Sequence, residues 1–221
     1  MLKFYYHQIS INSRRVWIAL LEKNIEFEGI ELKLNGDQFE PSFLALNPFH
    51  HIPVLEDDGF SVIESFAILD YLDAKYPENP LLPTDARSLA LVRMVQMVTL
   101  NELLTAMNPL IVKGMGFGEP EANKLEESQQ KVGKILEFLA EKLGEQSYFI
   151  DDRLTLADIV AGTAIGVLPF LGFSLDSYSN LKAWCDRLMQ RSSWQQTQAT
   201  PEQLESFKAQ MKILMAKKVA E

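Results

Sequence analysis

The N-terminal third of the chain changes its hydrophobic period several times within a few residues. Leu2–Tyr6 is aromatic and aliphatic and reads as a strand. From Ser13 to Lys23 the period becomes helical, with Val16 and Leu20, then Trp17 and Leu21, four residues apart, and the helix ends near Asn24. Phe27–Leu32 returns to alternation and predicts a second strand, and Pro41–Leu46 a short helix or turn before Asn47–Pro48. Pro53–Glu56 and Ser61–Ile63 flank Asp57–Asp58–Gly59 and predict a hairpin. Ser65–Tyr76 reads as a helix that turns Ile68, Leu69 and Leu72 inward.

Pro77–Asp85 holds prolines at 77, 80 and 83, which excludes a helix and marks a boundary. Beyond it every pattern is helical. Leu89, Val92, Val95 or Gln96, Leu100, Leu103, Met107 and Leu110 follow one face of a single long helix, stopped by glycines at 114, 116 and 118. Leu125, Val132, Ile135, Leu136, Leu139 and Leu143 follow another, closed by Gly144. Leu156–Leu168, Leu181–Arg191 and Gln203–Met215 predict three more. The organisation expected is an α/β domain over 1–78, a linker over 79–85 and an all-α domain over 86–221.

Composition narrows the function classes. A chain of 221 residues that is 47% hydrophobic and 23% charged can bury a globular core. A formal net charge of −9 disfavours nucleic acid and anionic membrane surfaces as partners, so an anionic substrate must be held by local donors. Cys185 is the single cysteine, which rules out an internal disulfide or a cysteine-rich metal site and suits a reducing cytoplasm. MLKFYYHQIS carries no secretory pattern. The uncharged run Ile159–Leu175 is short and broken by glycine and proline, so a buried helix is expected there and no membrane span.

Four segments could carry chemistry or hold the fold. Pro53 opens a strand, and a cis Ile52–Pro53 bond would leave the backbone of Ile52 free to pair with an extended ligand, although an ordinary trans proline fits the pattern too. Ser65 is expected to cap the next helix, whose N-terminus suits a carboxylate, while Glu64 suits an ammonium group; plain capping beside a surface glutamate is the alternative. Ser10, Asn12 and Ser13 precede the first helix. A hydroxyl there could donate to a thiolate and lower its pKa, or could simply cap the helix. Thr155–Leu156–Ala157–Asp158 has the form of a capping box, a folding element.

Read together, SINSRRVWIALLEKNIEFE, NPFHHIPVLEDDGFSVIESFAILDYL, LTLADIVA and YSNLKAWCDRLMQR resemble the soluble glutathione transferases along almost the whole chain, most closely the serine-type phi and theta classes. The resemblance implies a thioredoxin-like N-terminal domain that binds glutathione and an all-helical C-terminal domain. It places Ser10 as the catalytic thiol stabiliser, with Ser13 and Arg14 as alternates. Gln38, His51, Ile52, Pro53, Glu64 and Ser65 are then the glutathione contacts. Gln38 and His51 stand where the family often has other residues for the glycine carboxylate. Ile11, Met107, Ile111 and Phe117 are expected to line an electrophile pocket, and Phe49 to act as the aromatic key of a homodimer. The activity implied is conjugation of the glutathione thiolate to small hydrophobic electrophiles, in detoxification. Peroxidase or isomerase chemistry, or a non-catalytic binding or assembly role, are the alternatives. No permanently bound cofactor and no metal are expected.

Overall fold

The computed structural model describes residues 1–220, with side chains as far as Leu214. The elements in chain order are β1 (Lys3–Tyr6), α1 (Ile11–Glu22), β2 (Glu28–Glu31), α2 (Pro41–Leu44), β3 (Val54–Asp57), β4 (Phe60–Ile63), α3 (Ser65–Lys75), α4 (Ala86–Val98), α5 (Leu104–Ala106), α6 (Asn108–Gly114), α7 (Ala122–Leu143), α8 (Leu156–Ile165), α9 (Ser179–Met189), α10 (Ser192–Gln196) and α11 (Pro201–Ala220). The chain divides into two units. One joins Met1–Pro80 to the chain from Ser193 onward, and the other is Leu81–Ser192. The sequence places a boundary in the same proline-rich stretch but assigns everything from residue 86 to the helical domain. The difference is the C-terminal return, a tertiary feature that local pattern does not carry.

The first unit is built on a four-stranded sheet in the order β2-β1-β3-β4. β1 and β2 run parallel around α1, with Lys3 opposite Glu28, while β3 pairs antiparallel with both β1 and β4. The β3–β4 turn is Asp58–Gly59, both at positive φ (49° and 87°), the backbone that a two-residue hairpin with right-handed strand twist needs. Phe4 and Leu55 on the sheet, Val16, Ile18 and Leu20 on α1, and Ile68, Leu69 and Leu72 on α3 are buried and form the core. Burying each such side chain is worth about 1.5–3 kcal/mol. Lys23, with its side chain fully enclosed, joins the end of α1 to the chain after α3: Nζ donates to Asp73 Oδ1 at 2.9 Å and to the carbonyls of Asn79 at 3.1 Å and Glu78 at 3.3 Å.

Asp57, at the end of β3, is buried and accepts from Lys75 Nζ and from the Tyr71 hydroxyl on α3. Lys75 first, then Tyr71, hold its carboxyl below the ordinary carboxylate range. A depressed folded pKa contributes stability that is present above the unfolded value and lost as pH falls through the folded one. The stability difference between the wild type and Asp57→Asn is therefore expected to be largest near neutrality and to vanish as pH drops below ~3.9. Urea unfolding at a series of pH values checks this; a difference that does not change with pH contradicts it.

The second unit is helical. α8 is buried along its whole length. The single long helix expected through Leu110 is instead broken. After α4 the chain forms one π-helical turn, Thr99–Leu103, where the Thr99 hydroxyl bonds back to the Val95 carbonyl at 2.8 Å. It then breaks at Met107 and restarts as α6 with Pro109 in the first turn. The cause is Pro109, which lacks an N–H and whose ring would meet the carbonyl one turn back in a continuous helix. Ser128 Oγ donates to the Ala106 carbonyl beside the break, at 2.6 Å. Among the described residues one helical run, Ala86–Ala106, is long and apolar enough by composition to cross a membrane. It carries Arg87, Arg93 and Glu102, and its buried face includes Val92, Val95 and Leu103.

Candidate active site

The turn between β1 and α1 is closed by its own side chains. Ser10 is the N-cap of α1: its Oγ accepts from the Ser13 N–H at 3.2 Å. An oxygen that accepts from the backbone still has its hydroxyl hydrogen to donate elsewhere. Behind it, the His7 carbonyl accepts from Ser10 N–H at 3.0 Å and His7 Nδ1 from Ile9 N–H at 3.1 Å. Burial pushes the His7 pKa down, against the pull of Glu31 and Asp37, which keeps Nδ1 free as an acceptor.

The two alternates are occupied otherwise. Ser13 is fully buried. Arg14 spends its donors on the C-terminal return, reaching Thr197 Oγ1, the Trp194 carbonyl and Gln198 Oε1 at 3.2–3.3 Å. Burial lowers its pKa to about 10, so it stays charged at neutral pH.

The Ile52–Pro53 peptide is cis, with Pro53 buried at the head of β3. Asn47, itself buried, shapes the approach: Nδ2 donates to the His51 carbonyl at 2.8 Å and Oδ1 accepts from Phe49 N–H at 3.0 Å. Among the described residues none takes up the N–H or the C=O of Ile52. Past β4, Glu64 has φ 66° and ψ 118°. A non-glycine residue there costs on the order of 1–3 kcal/mol, a strain that collects at functional sites. Ser65 is not the N-cap, as the sequence suggests. Glu64 takes that place without a side-chain bond, because its unusual backbone turns the chain into the helix one residue sooner. The Ser65 hydroxyl and the free N–H groups of the first turn of α3 are left for an anion.

These pieces meet in one cavity of about 850 Å³ in the first unit. Gln38, His51, Ile52, Pro53, Glu64 and Ser65, the six residues assigned to glutathione from the sequence, all line it. Gln38 uses its Oε1 to accept from Gly36 N–H at 3.1 Å, which leaves its amide hydrogens to donate. Ser10 and Ile11 are not among the lining residues, although Asn12 is. Of the other residues assigned to the electrophile pocket, Met107 is fully buried and lacks the open surface that role needs, while Ile111 and Phe117 are half-buried in the helical unit. Phe49 is 58% exposed.

Sequence reasoning missed Leu34, Asn35, Gly36, Phe39 and Asn47 in the lining, and two further parts of it. One is His50, whose ring packs at a 49° tilt against Phe39, 4.8 Å between centroids. The other is one face of α11: Phe207, Met211 and Leu214, spaced i, i+4, i+7. Gln210, on that face, donates to the Lys33 carbonyl at 2.7 Å. The spacing is in the sequence, and Leu204 continues it, but Ile213 stands on the opposite side of the helix and blurs it.

Comparison with known proteins gives the same family from two directions. Residues 4–80 match the profile described as glutathione S-transferase, N-terminal domain, and residues 95–192 the C-terminal domain. A curated rice protein (Oryza sativa subsp. japonica), probable glutathione S-transferase GSTF2, is 34% identical over 203 residues, covering 88% of this chain and 94% of that protein. The chain belongs to the glutathione S-transferase family.

Glutathione S-transferase D7 of Drosophila melanogaster is 32% identical, over 84% of this chain and 83% of its own. A solved delta-class glutathione transferase from Nilaparvata lugens superposes with a TM-score of 0.83 at 25% identity, covering 96% of this chain and 99% of that one. The protein is thus a transferase of the glutathione S-transferase type, with that family's fold: a mixed four-stranded sheet with helices and a helical C-terminal region. α11 lies beyond the residues that the family profiles match.

Proposed function

We propose that the cavity binds glutathione and that the protein transfers its thiolate to small hydrophobic electrophiles, with Ser10 as the group that stabilises the sulfur anion. The observation that carries this reading is the convergence of Gln38, His51, Ile52, Pro53, Glu64 and Ser65 on one cavity. Glu64 pairs with the ammonium of the γ-glutamyl end, and the N-terminus of α3 at Ser65 takes its carboxylate. The backbone of Ile52 pairs with the cysteinyl residue as with a neighbouring strand. Gln38 and His51 face the glycine end.

Ser10, held by its cap bond, donates its hydroxyl hydrogen to the thiolate and favours the charged form. The electrophile meets an apolar surface near that loop: Phe207 of α11 lies 5.1 Å from the His7 ring, centroid to centroid. Ile11, at the start of α1, is a further contact for it. Phe49, exposed on the loop before Ile52, serves as the aromatic key of a homodimer, since an exposed aromatic makes a good anchor for an interface. The enzyme works in the cytoplasm, in detoxification, with glutathione as co-substrate and without a resident cofactor or metal.

Thermal unfolding with and without millimolar glutathione, paired with conjugation of a model aryl halide, tests the reading. A site filled at 100 times its Kd adds about 2.7 kcal/mol to stability. A raised Tm together with conjugation is the expected result; an unchanged Tm with no conjugation overturns it.

A further inference from the structure

We propose that the glycine end of this cavity accepts thiol peptides whose terminal carboxylate is masked by an uncharged, apolar group, and that Met211 and Leu214 of α11 receive that group. The inference rests on the reading of the cavity as a glutathione site and goes beyond it by naming a ligand class.

Charge is the first ground. Among the described residues lining the cavity there is no lysine and no arginine, and Glu64 is a carboxylate. With Glu64 matched to the ammonium and the start of α3 to one carboxylate, the glycine carboxylate meets, among the described residues, Gln38, His50 and His51 and neither lysine nor arginine. A partly buried carboxylate without a cation is costly, while a neutral group in its place carries no such penalty.

Shape is the second ground. Along α11, Phe207 lies against His7 at the thiol loop, and the Gln210 side chain holds the Lys33 carbonyl, the entry to the loop that ends in Gln38 and Phe39. At 1.5 Å per residue, Leu214 stands about 10 Å beyond Phe207 along the helix axis, on the same face. The apolar face thus runs from the thiol loop to the glycine end, where Leu34 and Phe39 line the cavity with it. A volume of about 850 Å³ leaves space beyond a tripeptide. Methionine there can shape itself to different groups.

The test compares dissociation constants of the full-length protein for glutathione and for its glycyl monoethyl ester, by titration calorimetry at neutral pH. The ester is expected to bind at least as tightly as glutathione and up to about tenfold more tightly, the effect of burying a two-carbon group. In the double variant Met211→Ala, Leu214→Ala, which keeps good helix formers in α11, the ratio of the two dissociation constants falls to about one or reverses, whatever change in affinity both ligands share. An ester that binds more weakly than glutathione overturns the proposal. An advantage that survives in the double variant overturns the place assigned to the group. If neither thiol binds, the reading of the cavity itself fails, a result distinct from both.

Discussion

Asp158→Ala is expected to cost about 4 kcal/mol or more of stability, a large part of the 5–15 kcal/mol that holds a typical domain together. The carboxylate is buried inside the helical unit and accepts four bonds. Oδ1 takes the Phe149 N–H and the Trp184 indole N–H, each at 3.0 Å, and Oδ2 takes the Thr155 N–H at 2.8 Å and its hydroxyl at 2.9 Å. Burial pushes the carboxyl pKa up, and the four donors pull it back. Removing the acceptor strands donors that water cannot reach, at roughly 1–3 kcal/mol each before relaxation. It also releases Trp184, fully buried and edge-on to Phe149. Asp158→Asn keeps one acceptor oxygen but turns an amide NH₂ toward two of the donors, so it should recover only part of the loss. Urea unfolding of both variants measures this, and a cost below about 1 kcal/mol for the alanine variant would show that the network carries little.

Ser10→Ala is expected to lower kcat/KM by about 10²–10³, the scale seen when one preorganised donor to a developing anion is removed. Glutathione affinity should change little, because the proposed site holds the peptide at its γ-glutamyl end through Glu64 and Ser65 and at its middle through Ile52. The acid limb of the pH–rate profile should move up toward the free thiol value near ~8.5. Alanine also removes the cap acceptor of the Ser13 N–H, worth about 1 kcal/mol. Ser10→Thr restores both the cap and the donor and separates the two effects. An unchanged profile in Ser10→Ala would transfer the thiol role to Ser13, Arg14 or a backbone N–H.

What could be read from sequence tracks how local each signal is. The β3–β4 hairpin rests on Asp58–Gly59, and the start of α1 on Ser10, because turn and cap preferences act over two or three residues. Gln38, His51, Ile52, Pro53, Glu64 and Ser65 were found through a family pattern, and all of them line the cavity. The positive φ of Glu64 was not visible, since nothing local demands it of a glutamate. The apolar row from Leu103 through Met107 to Leu110 runs across Pro109 and masks the restart of the helix at Asn108. Nothing local in the sequence marks His50 as a neighbour of the Phe39 ring, eleven residues away. The wall formed by Phe207, Met211 and Leu214 depends on contacts across most of the chain, which no window of neighbouring residues contains.

That wall also sets an order of events during synthesis. The sheet, the loop at Ile52 and the start of α3 leave the ribosome within the first third of the chain, whereas α11 follows only after the whole helical unit. Until then the cleft stands open along the side that α11 will close. The apolar side of the cavity is therefore the last part of it to be made.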